Sequence, residues 1–395
     1  MIGAGIGGLA AACALRERGF EVDVYERAGE LGEVGAGLQL GPNAVKVLRA
    51  LGIEERLRPL AFEPTNIVSV ASDDAHLRFR EPLKAVVTAQ FGAPYLTAHR
   101  ADLHGLLQAR LPARSIHLDA ECTGAASVDG AALAIFADGK EVEADIVVGA
   151  DGINSAVRES LFGAQSARYT QQMAWRCIVP IHSVPTKVGP GKSVAIGRDE
   201  YVGWIGPDGH VICYPIRGGD LYNIFAGHVS EQWVEESWSV PSSVGELLAG
   251  FCGWNEALLE MLAHVEHCYK WGIRDRDPLA RWTRGRVTLI GDAAHPMMPT
   301  LAQGAAITLE DAYALARHLA RHDDPRQGLE AYEAERRPRA SKVQLQAREQ
   351  FENNRKVPAP PPLSRDWIFA HDATLESMAR EPLASGYSPA SPAPP

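Results

Sequence analysis

A Gly-x-Gly-x-x-Gly pattern at Gly3, Gly5 and Gly8 is the feature that most constrains this chain. An Ala/Leu-rich stretch to Arg18, a stop at Gly19 and a strand-like run over residues 22–25 ending on Glu26 follow it. Each glycine has a physical task in such a unit. The first permits a tight turn, the second lets a pyrophosphate approach the backbone, and the third lets the helix pack closely on the strand. An acid about 20 residues on accepts ribose hydroxyls, and Glu26, with Arg27 beside it, stands there. A lone glycine pattern is weak evidence; glycines, helix, second strand and acid in register predict a dinucleotide site. Only Met1 and Ile2 precede Gly3, so the first strand is expected to be shortened by the choice of start.

Two further strands end on an acidic turn. Residues 287–290 form a continuous apolar run that stops at Gly291-Asp292, and residues 145–150 close on Asp151-Gly152. Pro296 and Pro299 break the chain after Asp292, and beyond Gln303-Gly304 an Ala-rich helical pattern runs to Leu319. A helix start there directs unpaired N–H groups and a positive dipole end toward Asp292. Either turn could be only a tight turn; the two together point to one ligand held from several sides.

Between these turns, residues 31–43 carry four glycines, which implies that the backbone passes close to something flat or bulky. Residues 44–60 read as helix and residues 67–80 as strand. Another helix opens at His99-Arg100, with Asp102 early in it. Arg100 could be a surface charge or could reach a phosphate. Residues 131–144 read as a hairpin turning at Asp138-Gly139.

From Tyr169 to His228 the pattern becomes short β-rich runs of roughly six to eight residues, the signature of an antiparallel sheet. In residues 210–214 the two-residue period puts His210, Ile212 and Tyr214 on one face, with about 13 Å between the outer two. By itself an imidazole on an apolar strand is more often a hydrogen-bonded core residue than a base. His264, His267 and Cys268 suggest metal ligation, but the segment reads as helix after Leu258, and no metal is expected.

The formal charge of −10 and a pI near 5.7 argue against nucleic acid or an anionic membrane as partner. No apolar run reaches the ~18 residues of a membrane span, and no signal peptide precedes the glycine motif, so a cytoplasmic protein is expected. Six cysteines without a CxxC pair read as buried thiols, not disulfides. The Ser/Pro/Ala tail is expected to be disordered.

Taken together, Gly3 to Gly8 with Glu26, the turn at Asp151-Gly152, and Gly291-Asp292 followed by His295-Pro296 resemble the three signatures of class A FAD-dependent aromatic hydroxylases. The stretches GAGLQLGPN, AQGA and LEDA are most similar to the salicylate, 3-hydroxybenzoate and 6-hydroxynicotinate monooxygenase group. The resemblance implies an α/β fold in which a Rossmann-like FAD-binding domain (1–70, 98–168, 270–345) is interleaved with an antiparallel β-sheet substrate domain (71–97, 169–269). A C-terminal helical segment (346–382) and a disordered tail (383–395) complete it.

It also implies a flavoprotein that binds FAD, consumes NADH or NADPH and O2, and hydroxylates a phenolic aromatic or hydroxypyridine carboxylate through a flavin C4a-hydroperoxide. A homodimer is among the expectations for assembly. Gly3, Gly5 and Gly8 would hold the pyrophosphate, Glu26 and Arg27 the adenosine side, and Arg100 the flavin and its phosphates. Gly291-Asp292 would hold the ribityl or pyrophosphate region and the N–H groups of Gly304 and Ala305 would face the pyrimidine edge. Asp151 belongs to the motif linked to both FAD and nicotinamide. His210 would be the base that removes the phenolic proton, and Tyr214 would line the substrate site. The chain departs from the 6-hydroxynicotinate type at Gln39 and Thr300, where those enzymes tend to carry histidines, and from the 3-hydroxybenzoate type at Pro299. A halogenase or reductase of the same fold, or a non-catalytic flavoprotein, is the alternative reading; the WxWxIP stretch of a halogenase is absent.

Overall fold

The computed structural model describes residues 1–32, 36–231, 240–356 and 360–375. The expected tail at 383–395 and part of the glycine-rich stretch lie outside the described residues.

A parallel sheet forms the base of the first layer. Val24–Tyr25 pairs with Ile116–His117 on one side, and Val147–Gly149 pairs with Val287–Leu289 on the other. Ile2 bridges both halves, to Tyr25 and to Gly149. Its N–H donates to the Val148 carbonyl at 2.9 Å, and its own carbonyl accepts from Ala150 at 2.7 Å. Every strand of this sheet is short, and all but the half-buried Ile116–His117 are buried, because the helices Ile6–Arg16 and Gly304–Leu319 and a three-stranded antiparallel sheet (Cys122–Val128, Ala131–Phe136, Glu141–Ala144) enclose it. The acidic turns read from the sequence therefore all emerge at the carboxyl ends of parallel strands, the usual ligand position of such sheets.

The second layer is an eight-stranded sheet ordered Val240–Ser242, Cys268–Asp275, Arg168–Pro180, Leu221–Val229, Gly209–Ile216, Tyr201–Ile205, Asn66–Ala71, Leu77–Pro82. All its pairings are antiparallel except Tyr201–Ile205 with Asn66–Ala71. One face packs on the helices Val244–Gly250 and Glu256–Leu262 to make a separate core that buries Val211, Cys213, Trp204 and Phe251. The opposite face looks back at the first layer. In this way one strand has its odd-numbered residues in a dry core and its even-numbered ones in a cavity.

The architecture is the mixed α/β one expected, with local differences. Residues 44–60 are two helices, Pro42–Ala50 and Glu54–Leu57, because Gly52 takes a positive φ of 63° between them. The helix before His264 ends at Leu262, and Cys268 opens a strand, so the three candidate ligands do not share a helix. Asn66–Ala71 lies in the large sheet as one strand, and so does Cys268–Asp275, each across the positions where the sequence reading changes domain. Pairing across chain-distant strands leaves no mark in local periodicity. The last long helix, Pro325–Asn354, likewise runs through residue 345 without a break. Asp324 caps it, and Pro325 sits in its first turn, where no N–H is needed. All six cysteines are free; Cys252 is exposed and Cys122 half-buried, and the other four are buried as expected.

Candidate active site

Between the two layers lies a cavity of about 470 Å³. Of the residues singled out in the sequence, Gly5, Arg100, His210, Tyr214, Gly291, Asp292, Gly304 and Ala305 line it together. The glycines of the first motif divide by task. A Cβ at Gly8 would fall 1.9 Å from the Gly3 carbonyl oxygen, and one at Gly3, whose φ is 99°, would fall 2.5 Å from that of Ala150. Those two glycines allow the turn to exist. At Gly5 a Cβ would meet nothing within 4 Å, so its missing side chain opens space toward the cavity. The helix behind it, Ile6–Arg16, has no side-chain cap, and neither has Gly304–Leu319 across the cavity. Two uncapped helix starts in one cavity give N–H donors and positive dipole ends suited to a pyrophosphate and a ring carbonyl edge.

Glu26 stays out of the cavity lining. Its carboxylate accepts from the N–H groups of Ala4 at 2.8 Å and Ala28 at 3.0 Å, which fixes the glycine turn against the second strand. Arg27 is exposed beside it. Asp151 also turns away. It accepts from the Ser155 hydroxyl at 2.5 Å and from the Val157 N–H at 3.1 Å, so it orders the start of the helix Ala156–Phe162. Burial raises its pKa, and those hydrogen bonds only partly offset the rise. Gly152, Ile153 and Asn154 thereby face the cavity in its place.

Among the described residues Asp292 is the one carboxylate in the lining. Burial raises its pKa, opposed by the nearby charges of His295 and Arg100. Its carboxylate has no hydrogen bond among the described residues, an arrangement that hydroxyl donors of a ligand would complete. The turn that carries it is braced from behind. His295 and the Gly291 N–H, at 2.5 and 3.4 Å, both meet Asp311, which with Glu310 encloses the wholly buried Arg336 at 2.8 Å each. Burial alone would push both acids up, but Arg336, with His295 at Asp311 and Arg339 at Glu310, holds them below the usual carboxylate range. Thr308 packs into the spaces left by Gly7 and Gly291, where a Cβ would come within 2.4 and 2.9 Å of its methyl group.

The substrate-layer wall is made of side chains. His210, Ile212 and Tyr214 all line the cavity, as the two-residue period predicts. The imidazole lies over Gly227, where a Cβ would come 2.9 Å from Cε1, and stacks on Phe225 at 5.5 Å. Burial pushes its pKa down to about 4, so the ring is neutral at neutral pH and free to accept a proton. Tyr214 stacks on Tyr201 with centroids 5.9 Å apart. Burial, reinforced by the neighbouring phenols, raises both hydroxyls, which stay protonated as donors. The bulk that the glycine-rich stretch accommodates is now identified. At Gly37 a Cβ would fall 2.7 Å from the Tyr214 ring and 2.6 Å from Asn223 Cγ, while the Gly37 N–H donates to Asn223 Oδ1 at 2.6 Å.

Sequence reading missed Tyr201, Arg176, Asn354 and Arg365, which also line this cavity. Nothing in their local sequence marks them; only pairing and the return of the C-terminal segment bring them here.

A sequence profile of the FAD binding domain family matches residues 1–347. The chain is 37% identical to a 6-hydroxynicotinate 3-monooxygenase of Bordetella bronchiseptica over 96% of each chain. It is 38% identical to a 3-amino-4-hydroxybenzoate 2-monooxygenase of Streptomyces platensis, covering 88% of this chain and 86% of that one. Among solved structures, a salicylate hydroxylase substrate complex superposes with a TM-score of 0.78 at 29% identity, over 94% of this chain and 95% of that one.

Proposed function

The chain belongs to the FAD-binding class A aromatic hydroxylases and is a flavoprotein aromatic monooxygenase; from that premise we propose that it uses NADH or NADPH and O2 to hydroxylate a phenolic aromatic or hydroxypyridine carboxylate. The observation that carries the reading is the facing of two walls across one cavity: Gly5, Asp292, Gly304 and Ala305 on one, His210 and Tyr214 on the other.

FAD fits the first wall. Its pyrophosphate would lie at Gly5 and the start of the helix Ile6–Arg16, with Arg100 as counter-charge. Its ribityl hydroxyls would donate to the carboxylate of Asp292, and its pyrimidine edge would meet the N–H groups of Gly304 and Ala305. Gly3, Gly8, Glu26 and Asp151 act one step back by holding the turns. When bound and reduced by the nicotinamide cofactor, FAD supplies electrons and activated oxygen, by the route the resemblance implies.

The second wall prepares the ring. Neutral His210 accepts the hydroxyl proton at one imidazole nitrogen; the phenolate left behind then stabilises the imidazolium, and the ring becomes the stronger nucleophile. Tyr214, held protonated, donates a hydrogen bond and orients the ring. The apolar residues Ile212, Ile224, Phe225 and Met298 keep water out of the space between the walls. The test is substrate-stimulated oxidation of NADH or NADPH by the FAD-loaded protein, with product identified. A panel of hydroxybenzoates and hydroxypyridine carboxylates giving neither stimulation nor hydroxylated product overturns the reading.

A further inference from the structure

Four arginines, Arg100, Arg176, Arg274 and Arg365, line the cavity, and among the described residues Asp292 is its single carboxylate, within a protein of net charge −10. Arg100 acts on Asp292 at the cofactor wall, and Arg176 lies over the Trp271 indole at 3.8 Å. Arg365 stands apart from both, at the end where Gln39, Tyr201 and Tyr214 close the cavity.

Its surroundings there are polar and neutral. The guanidinium lies over the Phe369 ring at 5.3 Å and within hydrogen-bonding reach of Tyr95, whose hydroxyl donates to Gln39 Oε1. Gln39 in turn serves the hydroxyls of Tyr201 and Tyr214. No carboxylate among the described residues pairs with Arg365. A cation beside protonated phenols and an amide, with no acid among the described residues, is a donor that an anion would complete.

The side chain is also preorganised. Its segment is tied to the last long helix by Leu363 N–H to Gln350 Oε1 at 2.7 Å and Gln346 Nε2 to the Ser364 carbonyl at 2.8 Å. Trp367 Nε1 donates to Gln346 Oε1 at 2.9 Å, and Arg339 donates to the Ile368 carbonyl at 3.0 Å.

We propose that Arg365 is the counter-ion for a carboxylate on the ring substrate and so the residue that makes this site select aromatic acids over uncharged phenols and hydroxypyridines. The inference rests on the function proposed above and assigns its substrate class. His210 and Tyr214 are about 13 Å apart along their strand. A single ring can therefore place its hydroxyl at His210 and its carboxylate at the Tyr214 end, where Arg365 meets it in a two-point contact.

The test compares 3-hydroxybenzoate, 4-hydroxybenzoate and 6-hydroxynicotinate with their decarboxylated counterparts phenol and 2-hydroxypyridine. Wild type, Arg365→Gln and Arg365→Lys, all FAD-loaded, are assayed by kcat and KM and, without the nicotinamide cofactor, by calorimetric Kd. Wild type should prefer the best acid by about a hundredfold. Arg365→Gln should lose roughly tenfold or more of that preference through KM and Kd, with the uncharged counterpart unchanged, and Arg365→Lys should recover part of it. An acid preference that survives Arg365→Gln overturns the assignment. So does an equal loss for acid and counterpart, since that marks Arg365 as only a fastener of its segment. If none of the five compounds stimulates oxidation, the functional reading fails, and the calorimetric arm still decides whether Arg365 binds carboxylates.

Discussion

The cofactor wall and the substrate wall of the same cavity are built in different materials. The first is backbone: glycine turns at the ends of parallel strands, two helix starts without side-chain caps, and one acid braced by the buried network of Asp311, Glu310 and Arg336. The second is side chain: His210 and Tyr214 from one strand, Tyr201 from its neighbour, Gln39 from the glycine-rich strand and Arg365 from the C-terminal segment. A wall of backbone atoms tolerates almost no change at its packed glycines, Gly3, Gly7, Gly8 and Gly291, because a Cβ there has nowhere to go, whereas at Gly5 and Gly304 it would meet only the ligand space. A wall of side chains can be altered without loss of fold, and its changes should appear in chemistry and selectivity instead.

The largest effect that comparison predicts is at Gly8. Gly8→Val puts its Cβ against the Gly3 carbonyl oxygen, and the strain should exceed about 4 kcal/mol, leaving little soluble protein and no retained FAD. Gly5→Ala should fold with an unchanged melting temperature and be impaired only in FAD affinity. A normal flavin content in Gly8→Val would remove the distinction between packing and ligand-facing glycines.

On the other wall, His210→Ala should slow oxygen transfer roughly a hundredfold or more while FAD content stays at the wild-type level. Much of the NADH consumed should then emerge as hydrogen peroxide. The ratio of product to NADH oxidised is the measurement; an unchanged ratio with an unchanged rate makes His210 a structural residue. Asp292→Ala should be smaller, removing charge-assisted hydrogen bonds of about 1.5–3 kcal/mol, seen as an increase of roughly 10- to 150-fold in the FAD dissociation constant. An FAD affinity equal to wild type would place the ligand elsewhere on this wall.

The smallest effect is on stability against pH. The imidazole of His210 has a folded pKa of about 4, below the unperturbed value near 6.5. As pH falls through that interval the unfolded chain takes up the proton first, so stability present above pH 6.5 is lost progressively toward pH 4. His371 is lowered to about 4 as well, but it is common to both proteins when wild type is compared with His210→Asn. The melting temperature of wild type should fall more steeply over this interval than that of the variant. Parallel curves would mean that the imidazole is better solvated than its burial implies.

Much of the cofactor wall is written in contiguous sequence. Gly3 to Gly8, Glu26, Asp151-Gly152 and Gly291-Asp292 each sit in one short strand-turn-helix segment, where steric limits on φ and the placement of N–H groups are local properties. Even there, only the folded chain separates Gly5, which faces the ligand space, from Gly3 and Gly8, which do not, and shows Glu26 and Asp151 holding turns. The two-residue period of the strand was enough to put His210 and Tyr214 on one face, because side-chain alternation is intrinsic to extended backbone.

What local sequence could not express is which chain-distant elements share that face. The run Asn66–Ala71 pairs with Tyr201–Ile205, Ile67 opposite Tyr201 and so 134 residues before it, and Arg365 arrives only after the last long helix has turned the chain back over the cavity. Backbone geometry is decided within a few residues, and the sequence by itself determined the glycine cradle, the acidic turns and the inward face of the His210 strand. Strand pairing and the docking of the terminal segment are decided by burial summed over the whole molecule, so only the tertiary structure decided which side chains close the substrate end.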